Sequence, residues 1–95
     1  MRSTQNPALL RAFAAELKAR RSALGFNQEE LAFAAGLNRT FVAKLETATT
    51  SPSLTSLVLL CEGLTVEPAE LMQSLMKRYK KELRAKSTEL RRPPS

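Results

Sequence analysis

The chain has 95 residues, a single cysteine, no histidine and a formal net charge of +6. This length limits it to one domain and a short tail. One cysteine without histidine excludes an internal disulfide framework and the usual clusters of metal ligands. No apolar run is long enough to span a membrane, and the N-terminus lacks a signal-peptide core. We therefore expect a cytoplasmic protein with no membrane segment, no metal and no cofactor.

The positive charge is concentrated at the two ends of the chain. Residues 1–26 carry five cations and one acid, and residues 67–95 carry eight cations and four acids. Residues 27–66 carry only two cations against four acids. The net charge favours a polyanion as partner, but its uneven distribution argues against a protein that coats nucleic acid nonspecifically.

Helix signals begin near the N-terminus. Asn6 followed by Pro7 predicts a helix start, because the asparagine side chain can cap the helix and proline suits its first position. The helix is expected to stop at Gly25. Apolar residues recur along it at helical spacing, namely Leu10, Phe13, Leu17 and Leu24.

Two short helices are predicted next. Asn27 with Glu30 forms a variant of the capping box and opens a second helix at Gln28. Gly36 ends that helix, and Asn38 caps a third, which turns Val42 and Leu45 inward.

Two more helices complete the pattern. Ser53, after Pro52, is predicted to cap a fourth helix that Gly63 closes, and Pro68 begins a fifth. The fourth helix is expected to bury Leu54, Leu57, Val58 and either Leu60 or Cys61. Residues 91–95 cannot continue a helix and are expected to be disordered. No segment alternates like a strand, so the predicted fold is an all-α five-helix bundle.

The second and third helices match the requirements of a helix-turn-helix. Their backbones need a small residue where they meet, which Ala32 supplies, and the turn needs a left-handed residue, which Gly36 supplies. The positions between and behind them are all apolar: Leu31, Ala35, Leu37, Val42 and Leu45.

These residues, in NQEELAFAAGLNRTFVAKLE and then PSLTSLVLLCEGLTVEPAELM, resemble the Cro- and phage-repressor-like helix-turn-helix family of XRE-like regulators. The resemblance covers residues 9–76. It implies a compact five-helix domain, here residues 1–76. The chain departs from the family by continuing past the usual end of that domain, and residues 77–95 are expected to form a basic helix extension and a disordered tail. The resemblance also implies that the third helix enters the DNA major groove.

The resemblance implies roles for particular residues. Gln28 would contact a phosphate, and Arg21 would pair with Glu46. The positions that read bases correspond to Arg39, Thr40 and Lys44, and Asn38 just before them is also expected to contact DNA.

The loop after Glu46 departs from the family pattern. Ala48 stands near a position where the family often has glycine, and the segment TATTSPS has no cation. A phosphate contact there would have to use backbone N–H groups or the hydroxyls of Thr49, Thr50 or Ser51.

The geometry of the third helix also favours DNA. The major groove admits one α-helix, and an arginine there can bind guanine O6 and N7 with two hydrogen bonds. Arg39 and Thr40 follow the cap Asn38 in the first turn, the end that a recognition helix inserts. Lys44 lies on roughly the same face. The alternative is that these side chains are simply solvated.

The fifth helix carries a second apolar stripe. It comprises Met72, Met76, Tyr79, Leu83, Lys86 and Leu90, at heptad-like steps. Leu71 and Leu75, on the flank, are expected to pack into the domain. The outer stripe is expected to leave Tyr79 and Leu83 without an intramolecular partner. This predicts dimerisation through Met76, Tyr79 and Leu83, and the alternative is a solvated basic helix.

Together these features predict a sequence-specific DNA-binding transcription regulator that binds a two-half-site operator as a homodimer. The cation-free loop favours an alternative, an antitoxin-like or coactivator-like adaptor that keeps the fold but binds another protein. We expect no enzymatic activity, because the sequence has no nucleophile–base pair and no glycine-rich phosphate loop.

Overall fold

The computed structural model describes residues 5–90, with side chains for residues 5–85. Every regular element in this range is a helix. In chain order they are α1 (Pro7–Ala23), α2 (Gln28–Ala35), α3 (Arg39–Glu46), α4 (Leu54–Leu64) and α5 (Pro68–Leu90). The predicted all-α five-helix fold is confirmed. The predicted disorder of residues 91–95 concerns a segment outside the described residues.

Four helices begin at the capping residues that the sequence predicts. Their side-chain oxygens each accept a hydrogen bond from a first-turn backbone N–H; the caps are Asn6, Asn27, Asn38 and Ser53. Asn27 and Glu30 form both halves of the capping box. A cap satisfies an amide that the helix itself leaves unpaired and stabilises the helix by about 1 kcal/mol. The starts of these helices are therefore determined locally.

One apolar core joins all five helices. Its fully buried side chains include Leu17, Leu31, Val42, Leu45, Leu60 and Leu71. The helix α5 packs chiefly along α1, α2 packs along α4, and α3 contacts both α1 and α2. The α2–α3 unit is thus held from behind, which leaves the outer face of α3 uncovered.

The turn between α2 and α3 has the predicted geometry. Gly36 adopts φ 68° and ψ 34°, a left-handed conformation that is costly for residues with a β-carbon. The Leu37 amide then donates to the Ala32 carbonyl at 2.8 Å. Ala32 is buried at the contact between the helices.

One residue of the predicted α1 stripe lies elsewhere. The helix ends at Ala23, and Leu24 is the residue after it, nearly half exposed. The chain reverses at Gly25, so Leu24 no longer follows the helical periodicity that buries Leu17.

The buried face of α4 also differs from the prediction. Leu60, Cys61 and Leu64 are buried, whereas Leu54 and Val58 are 79% and 42% exposed. Leu57 packs against the core as predicted, so the prediction fails only for Leu54 and Val58. Leu54 lies nine residues before Gly63, on the opposite side of α4 from the close contact with α2.

Gly63 makes that contact and does not end the helix, which runs on to Leu64. A β-carbon at Gly63 would lie 3.0 Å from the Ala35 nitrogen and 3.1 Å from the Ala34 carbonyl carbon. The glycine therefore permits the backbones of α2 and α4 to approach closely.

Gly63→Ala is expected to lower the free energy of unfolding by about 1–2 kcal/mol, since the added methyl group forces two stiff backbones apart. This would reverse the gain of about 1 kcal/mol that alanine normally brings over glycine inside a helix. Urea unfolding followed by circular dichroism measures it. Ala19→Gly, on the exposed side of α1, calibrates the helix-propensity effect alone. A more stable Gly63→Ala variant would show that α2 and α4 separate freely.

The helix α5 contacts α1 further along its length than predicted. The Tyr79 hydroxyl accepts a hydrogen bond from Asn6 Nδ2 at 2.8 Å, and Tyr79 packs against the core. Arg11 Nε donates to Glu82 Oε2 at 3.1 Å. The expectation that Tyr79 lacks an intramolecular partner is therefore wrong, because the N-terminal end of α1 supplies one. Leu83 remains 43% exposed.

A buried carboxylate also joins α5 to α1. Glu16 accepts hydrogen bonds from Ser74 Oγ at 2.7 Å and Arg78 Nε at 2.8 Å, and it pairs with Arg20 one turn later in α1. Burial by itself would raise the pKa of Glu16, but these three hydrogen bonds and the Arg20 charge outweigh it and hold that pKa below 4.5. Glu16 thus stays charged at neutral pH and anchors α5.

Candidate nucleic-acid interface

The helix α3 has one buried and one exposed face. Val42 and Leu45 are fully buried on one side. Arg39, Thr40 and Lys44 are exposed on the other. At 3.6 residues per turn, Arg39 and Lys44 lie toward opposite edges of this exposed face. The three residues predicted to read bases are thus presented together on a helix whose back is fixed in the core.

Two further residues lie on this side of α3 without a role predicted from the sequence. Ala43 follows Arg39 by one turn, and Thr47, the C-cap of α3, follows Ala43 by another. The Thr47 hydroxyl donates to the Ala43 carbonyl at 3.1 Å. Ala43 is half-buried, and its methyl side chain covers less of the α3 backbone than a longer side chain would. The sequence signal that could have identified Ala43 is its spacing of four residues, about one helical turn, from Arg39.

Asn38 sits at the N-terminal end of this face. Its Oδ1 accepts a hydrogen bond from the Thr40 amide at 2.7 Å, and the residue is exposed. The residue predicted to contact DNA is therefore also the cap that starts α3.

The structure contains the expected pair between Arg21 and Glu46. Arg21 Nε donates to Glu46 Oε2 at 2.6 Å, and Arg21 Nη2 donates to Glu46 Oε1 at 2.9 Å. The third nitrogen, Nη1, donates to the Phe26 carbonyl at 2.7 Å. This two-pronged pair joins the C-terminal ends of α1 and α3 and also holds the turn before α2.

Gln28 takes part in the same cluster. Its Nε2 donates to Glu46 Oε1 at 3.1 Å, and the side chain is half-buried. The sequence predicts a phosphate contact for Gln28 but not this bond. An amide nitrogen carries two hydrogens, so a second donor remains on Nε2.

The charge of Glu46 is maintained by its neighbours. Burial by itself would raise the pKa of Glu46, but hydrogen bonds from Arg21 and Gln28, together with the charges of Arg21 and Lys18, hold it below 4.5. At neutral pH the carboxylate is therefore ionised and opposed by the Arg21 guanidinium.

The loop after α3 is built from hydroxyl side chains. Ala48 adopts φ 59°, a left-handed value that favours glycine. The hydroxyls of Thr47 and Thr49 lie 2.8 Å apart. Thr49 is exposed and Thr50 is half-buried. Thr49 thus lies in the loop, three residues after the end of α3.

The described residues show little that suggests other chemistry. No group of three or more histidine, cysteine, aspartate or glutamate side chains is gathered among them to hold a metal. The thiol of Cys61 lies in the core, where burial raises its pKa, so this residue acts as a small packing residue.

None of the helices in the described range is both long enough and apolar enough to cross a membrane.

Comparison with known proteins identifies the family. The family model for the helix-turn-helix matches residues 17–71, more than half of the chain. The chain belongs to the XRE-like helix-turn-helix family. It is a DNA-binding regulator of that family, which confirms the resemblance seen in the sequence. None of the curated protein sequences matches it significantly.

Solved structures of restriction-modification controller proteins are similar over most of their length. C.AhdI from Aeromonas hydrophila is 39% identical, with 65% of this chain and 94% of that chain covered and a TM-score of 0.63. A point mutant of C.Esp1396I is 31% identical, with 85% of this chain and 98% of that chain covered and a TM-score of 0.72. The C.Esp1396I tetramer in complex with its natural 35 base-pair operator is 30% identical, with 75% of this chain and 93% of that chain covered and a TM-score of 0.70.

Proposed function

We propose that two copies of the chain bind a two-half-site operator, each with α3 in the major groove. The observation that carries this proposal is the division of α3 into a fully buried face and an exposed face with Arg39, Thr40 and Lys44. A helix fixed in this way can enter the groove without rearranging the core. The arginine then supplies the two donors that match guanine.

The remaining contacts divide into base reading and backbone positioning. Arg39 reads a base, and Thr40 and Lys44 contact neighbouring bases or the groove wall. Gln28, at the N-terminal end of α2, contacts a phosphate together with the amides of that helix end. Three further residues flank the groove: Asn38, Thr49 and Thr50. Phosphate contacts of this kind set the register of the protein on DNA, whereas base contacts supply specificity.

The similar structures support an oligomeric operator complex. C.Esp1396I is described as a tetramer on its natural operator. By analogy, the present chain would assemble on adjacent half-sites and act in the cytoplasm with the DNA that it regulates.

A surface suited to dimerisation lies on α4 and α5. Leu54 and Val58 are exposed on α4, and Met72 and Met76 are 38% and 37% exposed on α5. Leu57 and Met72, together with Leu9 of α1, line an apolar groove of about 350 Å³ between these three helices. We call the exposed residues Leu54, Val58, Met72 and Met76 the α4–α5 surface; of these, Met72 also lines the groove. The α4–α5 surface shares Met76 with the predicted seam of Met76, Tyr79 and Leu83 but leaves out Tyr79, which already bonds to Asn6.

Val58→Glu combined with Met72→Glu is expected to give a folded monomer, because the new charges would be buried against a second copy. Operator affinity should then fall by roughly a hundredfold, since the two half-sites no longer bind as a unit. Sedimentation equilibrium and operator titration measure the two effects.

Two matched variants test where the dimer forms. Phe33→Glu, which changes an 89% exposed apolar residue on α2, should leave the dimer intact. If Leu83→Glu alone produced the monomer, the interface would instead lie on the outer part of α5, as the sequence pattern predicted.

One observation favours a second candidate function. The loop of residues 47–53 contains no cation, which is unusual next to a phosphate backbone and suits a protein-interaction adaptor of the same fold. Selection of a duplex from a random-sequence pool, followed by fluorescence titration across salt concentrations, distinguishes the two. Operator binding should enrich one sequence and weaken steeply with salt. An adaptor would enrich no sequence, and that result would overturn the DNA-binding proposal.

A further inference from the structure

We infer that Glu46 orients the Gln28 side chain for its contact with a DNA phosphate, in addition to pairing with Arg21. This inference rests on the proposed function, because it concerns the phosphate contact of that same site. It assigns Glu46 as a positioning residue that acts through Gln28. The observation behind it is the hydrogen bond of 3.1 Å from Gln28 Nε2 to Glu46 Oε1.

The chemistry of the two groups determines which end of the amide faces Glu46. An ionised carboxylate only accepts hydrogen bonds, so Gln28 must turn its nitrogen toward it. With the amide reversed, the Gln28 oxygen would face a Glu46 carboxylate oxygen. Both atoms are acceptors, and neither carries a proton for a hydrogen bond. A phosphate oxygen is also only an acceptor. The second N–H of Gln28 Nε2 is therefore the group that can bind it.

The cluster provides an acceptor that is both immobile and electrically balanced. Glu46 is 4% exposed, and Arg21 grips both of its oxygens. Arg21 is itself held by the Phe26 carbonyl. Because the guanidinium opposes the carboxylate charge, Glu46 can fix Gln28 without presenting an unbalanced negative charge to DNA.

The bond between Gln28 and Glu46 is not needed to begin α2. Asn27 and Glu30 already form a complete capping box at that helix end, with bonds of 2.7 Å and 2.9 Å. A further bond from Gln28 therefore adds little to the helix start. What it restricts is the rotation of an otherwise mobile side chain, which lowers the entropic cost of binding a phosphate.

A double-mutant cycle tests the inference on the duplex that the wild-type chain selects from a random-sequence pool. Gln28→Ala should reduce affinity about tenfold, the effect of one hydrogen bond to a charged group. Glu46→Gln, which makes both amide orientations of Gln28 acceptable, should reduce affinity about threefold to tenfold. In the Gln28→Ala background, Glu46→Gln should have no further effect, because Glu46 acts through Gln28. An equal loss in both backgrounds would overturn the inference.

Glu16→Gln separates positioning from stability. It weakens a different buried carboxylate cluster, with Ser74, Arg78 and Arg20, that includes neither Gln28 nor Glu46. It should therefore lower the denaturation midpoint and leave affinity within about twofold at temperatures where the variant is folded. If Glu46→Gln does not fold, Glu46→Asp provides the same cycle, since it keeps the charge but withdraws the acceptor from Gln28. Failure of the wild type to select any duplex would overturn the proposed function, and this inference with it. Wild-type binding with an additive cycle would overturn this inference alone.

Discussion

Replacing Glu46 with alanine should lower the free energy of unfolding by about 3–5 kcal/mol, the usual effect of removing one partner from a buried ion pair. The Glu46 side chain is 1% exposed and the Arg21 side chain is 15% exposed, so the guanidinium would lose its partner in a site that water hardly reaches. The Gln28 amide would lose its acceptor as well. Urea unfolding followed by circular dichroism gives the change in midpoint.

The chain offers a matched control for this variant. Arg11 and Glu82 form a pair whose side chains are 50% and 34% exposed. Glu82→Ala should therefore cost less than about 1 kcal/mol, since water screens and replaces an exposed pair. Equal midpoints for the wild type and Glu46→Ala would contradict the proposed structural role of the buried pair.

Arg39→Ala should leave thermal stability nearly unchanged but lower operator affinity by about 1–3 kcal/mol per half-site. The side chain is exposed, and alanine is at least as good a helix former as arginine. The loss should be concentrated at one base position, where guanine is expected, because an arginine reads its two acceptors together. The measurement is the base preference that wild type and variant each select from a random-sequence pool.

Gln28→Ala is the comparison for this prediction. A phosphate has no base identity, so this variant should weaken binding to all sequences about equally and keep the wild-type preference. If Arg39→Ala also kept the wild-type preference, Arg39 would be a phosphate contact and another residue would read the base.

The features that the sequence by itself determined are those set within one or two helical turns. The caps Asn6, Asn27, Asn38 and Ser53 bond to amides two or three residues away. The left-handed turn at Gly36 also depends on a single residue. The two faces of α3 follow from spacing alone, since Val42 and Leu45 share the buried side and Arg39 and Lys44 lie off that side. These features were predictable because their partners lie nearby in the chain.

The choice between Arg21 and other partners for Glu46 depended on the family resemblance, because the two residues lie far apart in sequence. The bond from Gln28 to the same carboxylate was not predicted at all. It requires the N-terminal end of α2 to lie beside the C-terminal end of α3, and this follows only from the angle at which the two helices pack.

Tertiary structure alone decided which apolar residues of α4 and α5 are covered. Periodicity identifies an apolar stripe but not the neighbour that each part of it meets. The close approach to α2 at Gly63 lies on the opposite side of α4 from Leu54, and Leu54 and Val58 face outward. The N-terminal end of α1 reaches Tyr79 and gives it a partner. In both cases the deciding contact joins residues distant in the chain, and its position depends on how whole helices pack against one another.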